Sequence, residues 1–323
     1  MASTRSSTAD SASAFVTATV SYNRRDILLY ALGIGCSDLR HVYEEAEGFA
    51  AFPLFPAVLL HKGTSSDVIE FPSPTLLRMA SFDASALPGT RALLDAERYI
   101  ERVRDIPSSE GTHHLTYRSW LLGVSPKRNG ALVHTEGELL DREGKVLYRM
   151  KASAYALGAT GVSPSGRELP KAPTPPTRPC DAWHVERVGA QQAQLYRLSG
   201  DYNPLHIDPS VAQLQGFDQP ILHGLCTLGF AVRAVLRLCA CDDPTRFQAV
   251  RARFVGTVAP GDLVCTKVWA EARRVFFITE VMHSSPRDHD PEEAKLVIGH
   301  AYVELTTDAE LGELVPRQPA ARL

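Results

Sequence analysis

The sequence predicts an α+β chain made of two copies of one antiparallel-sheet unit, the second wrapped around a buried helix. Three observations predict it. Strand-like alternation recurs in the same order in both halves, one long apolar helix stands in the second half alone, and a proline-rich stretch divides the two. A length of 323 residues fits two such units and exceeds one ordinary core.

The elements follow in order. Residues 1–14 are mostly Ser, Thr and Ala and are expected to form a disordered tail. The first repeat is placed at residues 15–157, with strands at 115–122, 131–139 and 146–157. Residues 158–180 carry Pro164, Pro170, Pro173, Pro175, Pro176 and Pro179, which suit neither a helix nor a central strand, and are read as a linker. The second repeat is placed at residues 181–308. It opens with a helix at 190–198 that Gly200 ends, and a short helix follows Asp208-Pro209 to Leu214. Next comes a helix at 225–239, apolar on nearly every face and therefore expected to be buried. Strands at 248–255, 263–270, 275–282 and 296–305 complete the repeat, with a Pro260-Gly261-Asp262 turn and a polar hairpin loop at 283–293. Residues 309–323 form the closing tail.

The halves also match residue by residue. Trp120 corresponds to Trp269, Ala154-Tyr155 to Ala301-Tyr302, and the segment at 29–33 to that at 195–199. A helix wrapped by a curved antiparallel sheet is the hot-dog architecture. The first half offers only proline-broken segments where the second has its helix. The fold class expected is therefore a double hot dog whose first repeat is degenerate.

Composition removes several functions. Hydrophobic residues make up 44% and charged residues 22%, as in ordinary globular chains. A net charge of -3 argues against a nucleic-acid partner, which calls for a basic excess. No apolar run is long enough for a membrane-spanning helix. There is no secretory h-region at the start. The 6 cysteines form no CxxC pair and read as reduced, mostly buried thiols of an intracellular protein.

The chemistry concentrates after Gly200. Asp201, Asn203, His206 and Asp208 fall within eight positions on a loop interrupted by Pro204. Asp208 precedes Pro209 and reads as a helix N-cap. Asp201 and His206 have no such local task. A carboxylate and an imidazole held close together can act as base and acid near neutral pH, with Asn203 orienting a water between them. Asx residues making local turns would use the same residue types. Gly224 opens the buried helix, where free N–H groups suit a developing oxyanion and a glycine permits close approach. The internal repeat favours the chemical reading. At the matching positions the first copy has Gly35, Ser37 and Arg40, so it keeps the apolar frame without the acid and base.

Residues 196–209, followed by Pro220-Ile-Leu-His-Gly-Leu-Cys226, resemble the signature of the hydratase 2 (MaoC-like) family of (3R)-specific enoyl-CoA hydratases, peroxisomal type. The resemblance covers roughly residues 21–306 and is strongest over 190–254. It implies reversible hydration of a trans-2-enoyl-CoA to a (3R)-3-hydroxyacyl-CoA, with His206 assigned as base, Asp201 as acid, Asn203 as water holder and the Gly224 N–H at the thioester oxygen. It also implies contact of Lys127 and Phe254 with the acyl-CoA. Asp208 and His223 are carried as further substrate-contacting candidates. The chain departs from the family pattern at Asp95-Ala96, where His-Gly is usual, which puts acyl-side contacts in question.

No cofactor and no metal are expected, and the partner is an acyl-CoA thioester. The final Ala321-Arg322-Leu323 resembles the small-basic-Leu peroxisomal address, so an import receptor and a peroxisomal matrix location are expected. The resemblance further implies a homodimer. The rival readings are a 3-hydroxyacyl-thioester dehydratase of fatty-acid synthesis, a non-catalytic acyl-CoA binder, and a hot-dog thioesterase or metal site using His206, Asp208 and His223.

Overall fold

A computed structural model describes residues 15–79, 85, 87–282 and 294–311. The first tail, the hairpin loop anticipated at 283–293 and all of the closing tail beyond residue 311 lie outside the described residues.

The first repeat begins with β1 (Val16–Tyr22), α1 (Arg24–Gly33) and α2 (Leu39–Val42). A 3-10 turn, Phe55–Val58, runs into α3 (Leu59–Lys62), and α4 (Pro74–Met79) follows. Then come β2 (Ala92–Arg102), β3 (His113–Lys127), β4 (Gly130–Leu140) and β5 (Val146–Leu157). The two-residue β6 (Ser165–Gly166) pairs with β3. The second repeat comprises β7 (Ala182–Arg187), α5 (Gln192–Tyr196), α6 (Pro209–Leu214), α7 (Gly224–Cys239), β8 (Phe247–Phe254), β9 (Leu263–Glu271), β10 (Arg274–Met282) and β11 (Lys295–Leu305).

The 11 strands of the described residues belong to one sheet, whose order is β1-β3-β4-β5-β2-β8-β11-β10-β9-β7 with β6 off this path. Each repeat thus contributes the same order of five strands. The two are joined edge to edge where β2 pairs antiparallel with β8, Ile100 opposite Val250. All five strands of the second repeat touch α7, so the sheet wraps the helix as the double hot dog requires.

The anticipated asymmetry between the repeats is present. The 16 residues of α7 bury Cys226, Leu228, Phe230, Ala231, Val232, Val235 and Leu236. In the first repeat, Pro53 and Pro56 fall where a helix would run, and a single turn of 3-10 helix leads into the four residues of α3. Phe52, Leu54, Phe55, Val58 and Leu59 bury the apolar surface instead. The free carbonyls at the end of α1 are met by the second repeat. Cys226 Sγ donates to Gly33 O, Arg233 Nε donates to Ile34 O at 2.9 Å, and Gln192 Nε2 donates to Leu32 O at 3.1 Å.

Strands β1, β2 and β7 were not anticipated, nor was β6, which lies within the stretch read as a linker. In β2 the cause is charge: Asp95, Glu97, Arg98, Glu101 and Arg102 hide the alternation. Glu97 belongs on a sheet because Arg251 of β8 lies 2.5 Å away. The helix expected at 190–198 is shorter, since α5 tightens into a 3-10 turn at Arg197–Ser199 before Gly200.

Candidate active site

The loop that follows Gly200 is built from local bonds. Gly200 has φ 127°, a conformation that side chains disfavour. A Cβ there would lie 2.6 Å from Lys62 Cβ and 2.8 Å from the Lys62 backbone. Glycine therefore lets the loop rest directly on α3 of the first repeat. Asn203 caps the 3-10 turn Pro204–His206 by accepting from Leu205 N–H, and Asp208 caps α6 by accepting from Ser210 N–H. Gly200→Ala is expected to destabilise the fold by more than ~1 kcal/mol and to displace the loop. Urea denaturation and an activity assay read the two effects separately.

One polar atom from each of Asp201, His206 and His223 lies within 4.8 Å of the others. One water molecule can bridge such a gap with two bonds of about 2.8 Å. His206 Nδ1–H donates to the Ile221 carbonyl at 2.8 Å, which leaves the Nε2 lone pair free. His223 Nε2–H donates to the Asp201 carbonyl at 3.1 Å and so pins the loop to the cap of α7. The rings of His206 and His223 stack with centroids 3.7 Å apart.

The protonation states follow from burial. Burial lowers the pKa of His206, and it pushes His223 down to about 3. Both imidazoles are neutral at neutral pH. Burial alone would raise the pKa of Asp201, but His61, His223, His206 and the Asn203 N–H outweigh it and hold the carboxyl below its usual range. The resting pair is therefore a carboxylate beside a neutral imidazole. A proton that leaves Asp201 during turnover must first be acquired there.

Gly224 is the first residue of α7, so its N–H has no acceptor within the helix. Phe254 of β8 covers it, with ring carbons 3.4 Å from where a Gly224 Cβ would be. Asp201, His206, His223, Gly224 and Phe254 are thus gathered at one place, and Asn203 N–H donates to Asp201 Oδ1 at 3.3 Å. Two expected contacts are not gathered there. Asp208 is half-buried, and its carboxylate is occupied by Ser210 N–H and Oγ. Lys127 pairs with Glu168 at 3.3 Å, near Ser125, His134 and Glu97. Glu97 lies on the face of the sheet opposite the Val250 and Ala252 side chains of the core.

The site also contains residues that the sequence did not single out. His61 Nδ1 of α3 lies 3.7 Å from Asp201 Oδ2. The register between β2 and β5 shifts between Asp95 and Glu97, so Ala96 is the extra residue of a β-bulge. The bulge turns Asp95 to the same side as Arg98, which bonds both its oxygens at 2.9 and 2.8 Å. Burial raises the pKa of Asp95 against the pull of Arg98, and Asp201 and His61 both lie within electrostatic reach of it. The departure at Asp95-Ala96 was the one sequence signal for this wall.

The donor set fits a metal poorly. The imidazole planes of His206 and His223 are 28° apart with stacked rings, so their in-plane lone pairs do not converge on one ion. The set suits acid–base chemistry on a bound water beside an oxyanion donor.

Fold and site together define a double hot-dog protein that gathers Asp201, His206 and His223 in its second repeat. Two family models match the chain: MFE-2 hydratase 2 N-terminal domain over residues 20–158 and MaoC like domain over residues 171–287. Enoyl-CoA hydratase 2, peroxisomal, of Arabidopsis thaliana is 34% identical over 280 residues, covering 80% of this chain and 85% of the relative. The chain belongs to the MaoC-like enoyl-CoA hydratase 2 family. Peroxisomal multifunctional enzyme type 2 of Drosophila melanogaster is 39% identical over 300 residues, covering 88% of this chain and 46% of that relative. This chain thus spans less than half the length of that multifunctional relative. The crystal structure of a MaoC-like dehydratase from Phytophthora capsici superposes with a TM-score of 0.80 at 36% identity, covering 92% of this chain and 97% of that one.

Proposed function

We propose that the chain is a hydro-lyase that reversibly hydrates trans-2-enoyl-CoA to (3R)-3-hydroxyacyl-CoA in peroxisomal fatty-acid β-oxidation. The observation that carries the reading is the Asp201 carboxylate and the His206 imidazole within one water's reach of each other, next to the opening turn of α7. Water donates to both. As its oxygen bonds to Cβ, one O–H bond breaks and the proton passes to His206 Nε2. The π electrons move to the thioester oxygen, where the Gly224 N–H meets the charge. His206 hands that proton to Asp201, restoring the neutral imidazole, and the enolate then collapses as Asp201 gives the proton to Cα on the same face and returns to the carboxylate. Because the pair holds no spare proton at rest, the proton reaching Cα is the one taken from water, and the atoms balance as addition of one H2O.

The test is loss of enoyl absorbance when purified protein meets trans-2-decenoyl-CoA. The product is then offered to (R)-specific and (S)-specific 3-hydroxyacyl-CoA dehydrogenases. Oxidation by the first alone is expected. An unchanged enoyl signal, or an (S) product, would sink the reading.

The remaining parts of the proposal rest on less. The repeats are taken as residues 15–157 and 181–308, joined by a linker at 158–180, which limited proteolysis would cut first. Phe254 is a substrate contact and His223 a support for the loop. The short α3 of the first repeat leaves room for a long or bulky acyl chain, and activity confined to four-carbon substrate would contradict this. Peroxisomal residence follows the names of the relatives and the Ala321-Arg322-Leu323 address, which lies outside the described residues. A fluorescent fusion that stays in peroxisomes after deletion of the tripeptide would remove its role. The homodimer implied by the family is tested by sedimentation equilibrium.

A further inference from the structure

We propose that His61, supplied by the first repeat, is a positioning residue for the catalytic carboxylate: its imidazole pairs with Asp201 across the junction of the two repeats. This rests on the hydratase reading only for its kinetic consequence.

The placement of His61 is fixed by its neighbours. Gly200 lies on the backbone of Lys62, so the residue after Gly200 and the residue before Lys62, Asp201 and His61, meet across the junction of the two repeats. Lys62 anchors the turn from beneath: Nζ donates to Ser21 O at 2.9 Å and Ser65 O at 2.6 Å and pairs with Asp26 at 3.4 Å. Gly63 N–H closes α3 onto Leu59 O at 2.9 Å. His61 Nδ1 is buried and has no hydrogen-bond partner among the described residues. A buried polar nitrogen left unpaired costs stability unless it finds a partner. Asp201 Oδ2 lies 3.7 Å from it, a gap that closes to a hydrogen bond with a shift of less than about 1 Å. Catalytic bonds are commonly long before substrate binds.

The charges around Asp201 agree with this role. His206 and His223 face it from its own loop and from the cap of α7, and Tyr196 faces it from α5. From the first repeat, His61 faces it, together with Asp95 and its partner Arg98 on β2. Two carboxylates therefore share one low-dielectric cleft. Arg98 is bonded to Asp95. The imidazole of His61 is the group of the first repeat that stands against Asp201.

The decisive measurement is the titration of the Asp201 carboxyl by 13C NMR in protein labelled at aspartate carboxyls, the signal assigned from its loss in Asp201→Asn. His61→Leu is expected to raise the Asp201 midpoint by about one pH unit or more. Asp95→Asn is expected to lower it. His61→Gln keeps a hydrogen-bond donor without the imidazole, should give an intermediate rise, and carries the test if the leucine variant does not fold. A midpoint unchanged in every folded His61 variant overturns the proposal. The titration needs no turnover, so a chain that hydrates no enoyl thioester would fail the proposed function and leave this test intact. With an active enzyme, the acid limb of the kcat profile should move upward in His61→Leu while KM stays constant. A fall in kcat with an unmoved limb would make His61 a merely structural residue.

Discussion

Asp201→Ala and His206→Ala should each lower kcat by roughly 10²–10⁴-fold while the chain stays folded. Asp201 contributes its backbone carbonyl to the His223 bond, and this survives the substitution. Among the described residues its side chain accepts a direct hydrogen bond from the Asn203 N–H alone, at 3.3 Å. His206 contributes one bond, from Nδ1 to Ile221 O, and alanine would leave that carbonyl beside a small cavity. The double variant should lose little more than the worse single one, because groups that share one water and one proton act as a unit. Initial rates on trans-2-decenoyl-CoA, with circular dichroism to verify folding, measure the effect. Wild-type rates in either variant would mean that the reaction occurs elsewhere.

Gly224→Pro is expected to remove the oxyanion donor and little else. Proline fits the first position of a helix, where its missing N–H breaks no intrahelical bond. The preceding residue must be extended, and His223 already is, with φ -60° and ψ 137°. A Cβ at residue 224 meets Phe254 at 3.4 Å, an ordinary contact. Stability should therefore change little, while kcat falls about 10²–10³-fold, the loss of one oxyanion donor. Gly224→Ala keeps the N–H and should retain more activity than the proline variant. Equal activity of the two would argue that the thioester oxygen is stabilised elsewhere.

Much of this was legible in the sequence, and the misses share a cause. The alternation of β3–β5 and β8–β11 marked them because one face of each is apolar. The helix α7 was legible because it is apolar on nearly every face and opens with a glycine. Asp201, Asn203, His206 and Gly224 were legible because one short segment carries the first three and the next carries the fourth. Strand β2 was not, because its charges are satisfied by partners such as Arg251, over 150 residues away in the chain. His61 escaped for the same reason: it stands beside Asp201 only because Gly200 lets the loop rest on Lys62. The extra residue Ala96, which re-aims Asp95, leaves no mark in periodicity at all.

The seam between β2 and β8 has a consequence for behaviour on dilution. In a site assembled from separate chains, the residues of one side are lost as protein concentration falls through the dissociation constant. Here both sides belong to one polypeptide, so His61 and Asp95 meet Asp201 at an effective concentration set by the tether between the repeats rather than by how much protein is present. The translational cost of bringing them together is met once, on folding. Specific activity should therefore be constant at concentrations where any assembly of chains has come apart, and the centre is as complete in a single molecule as in a crowded organelle.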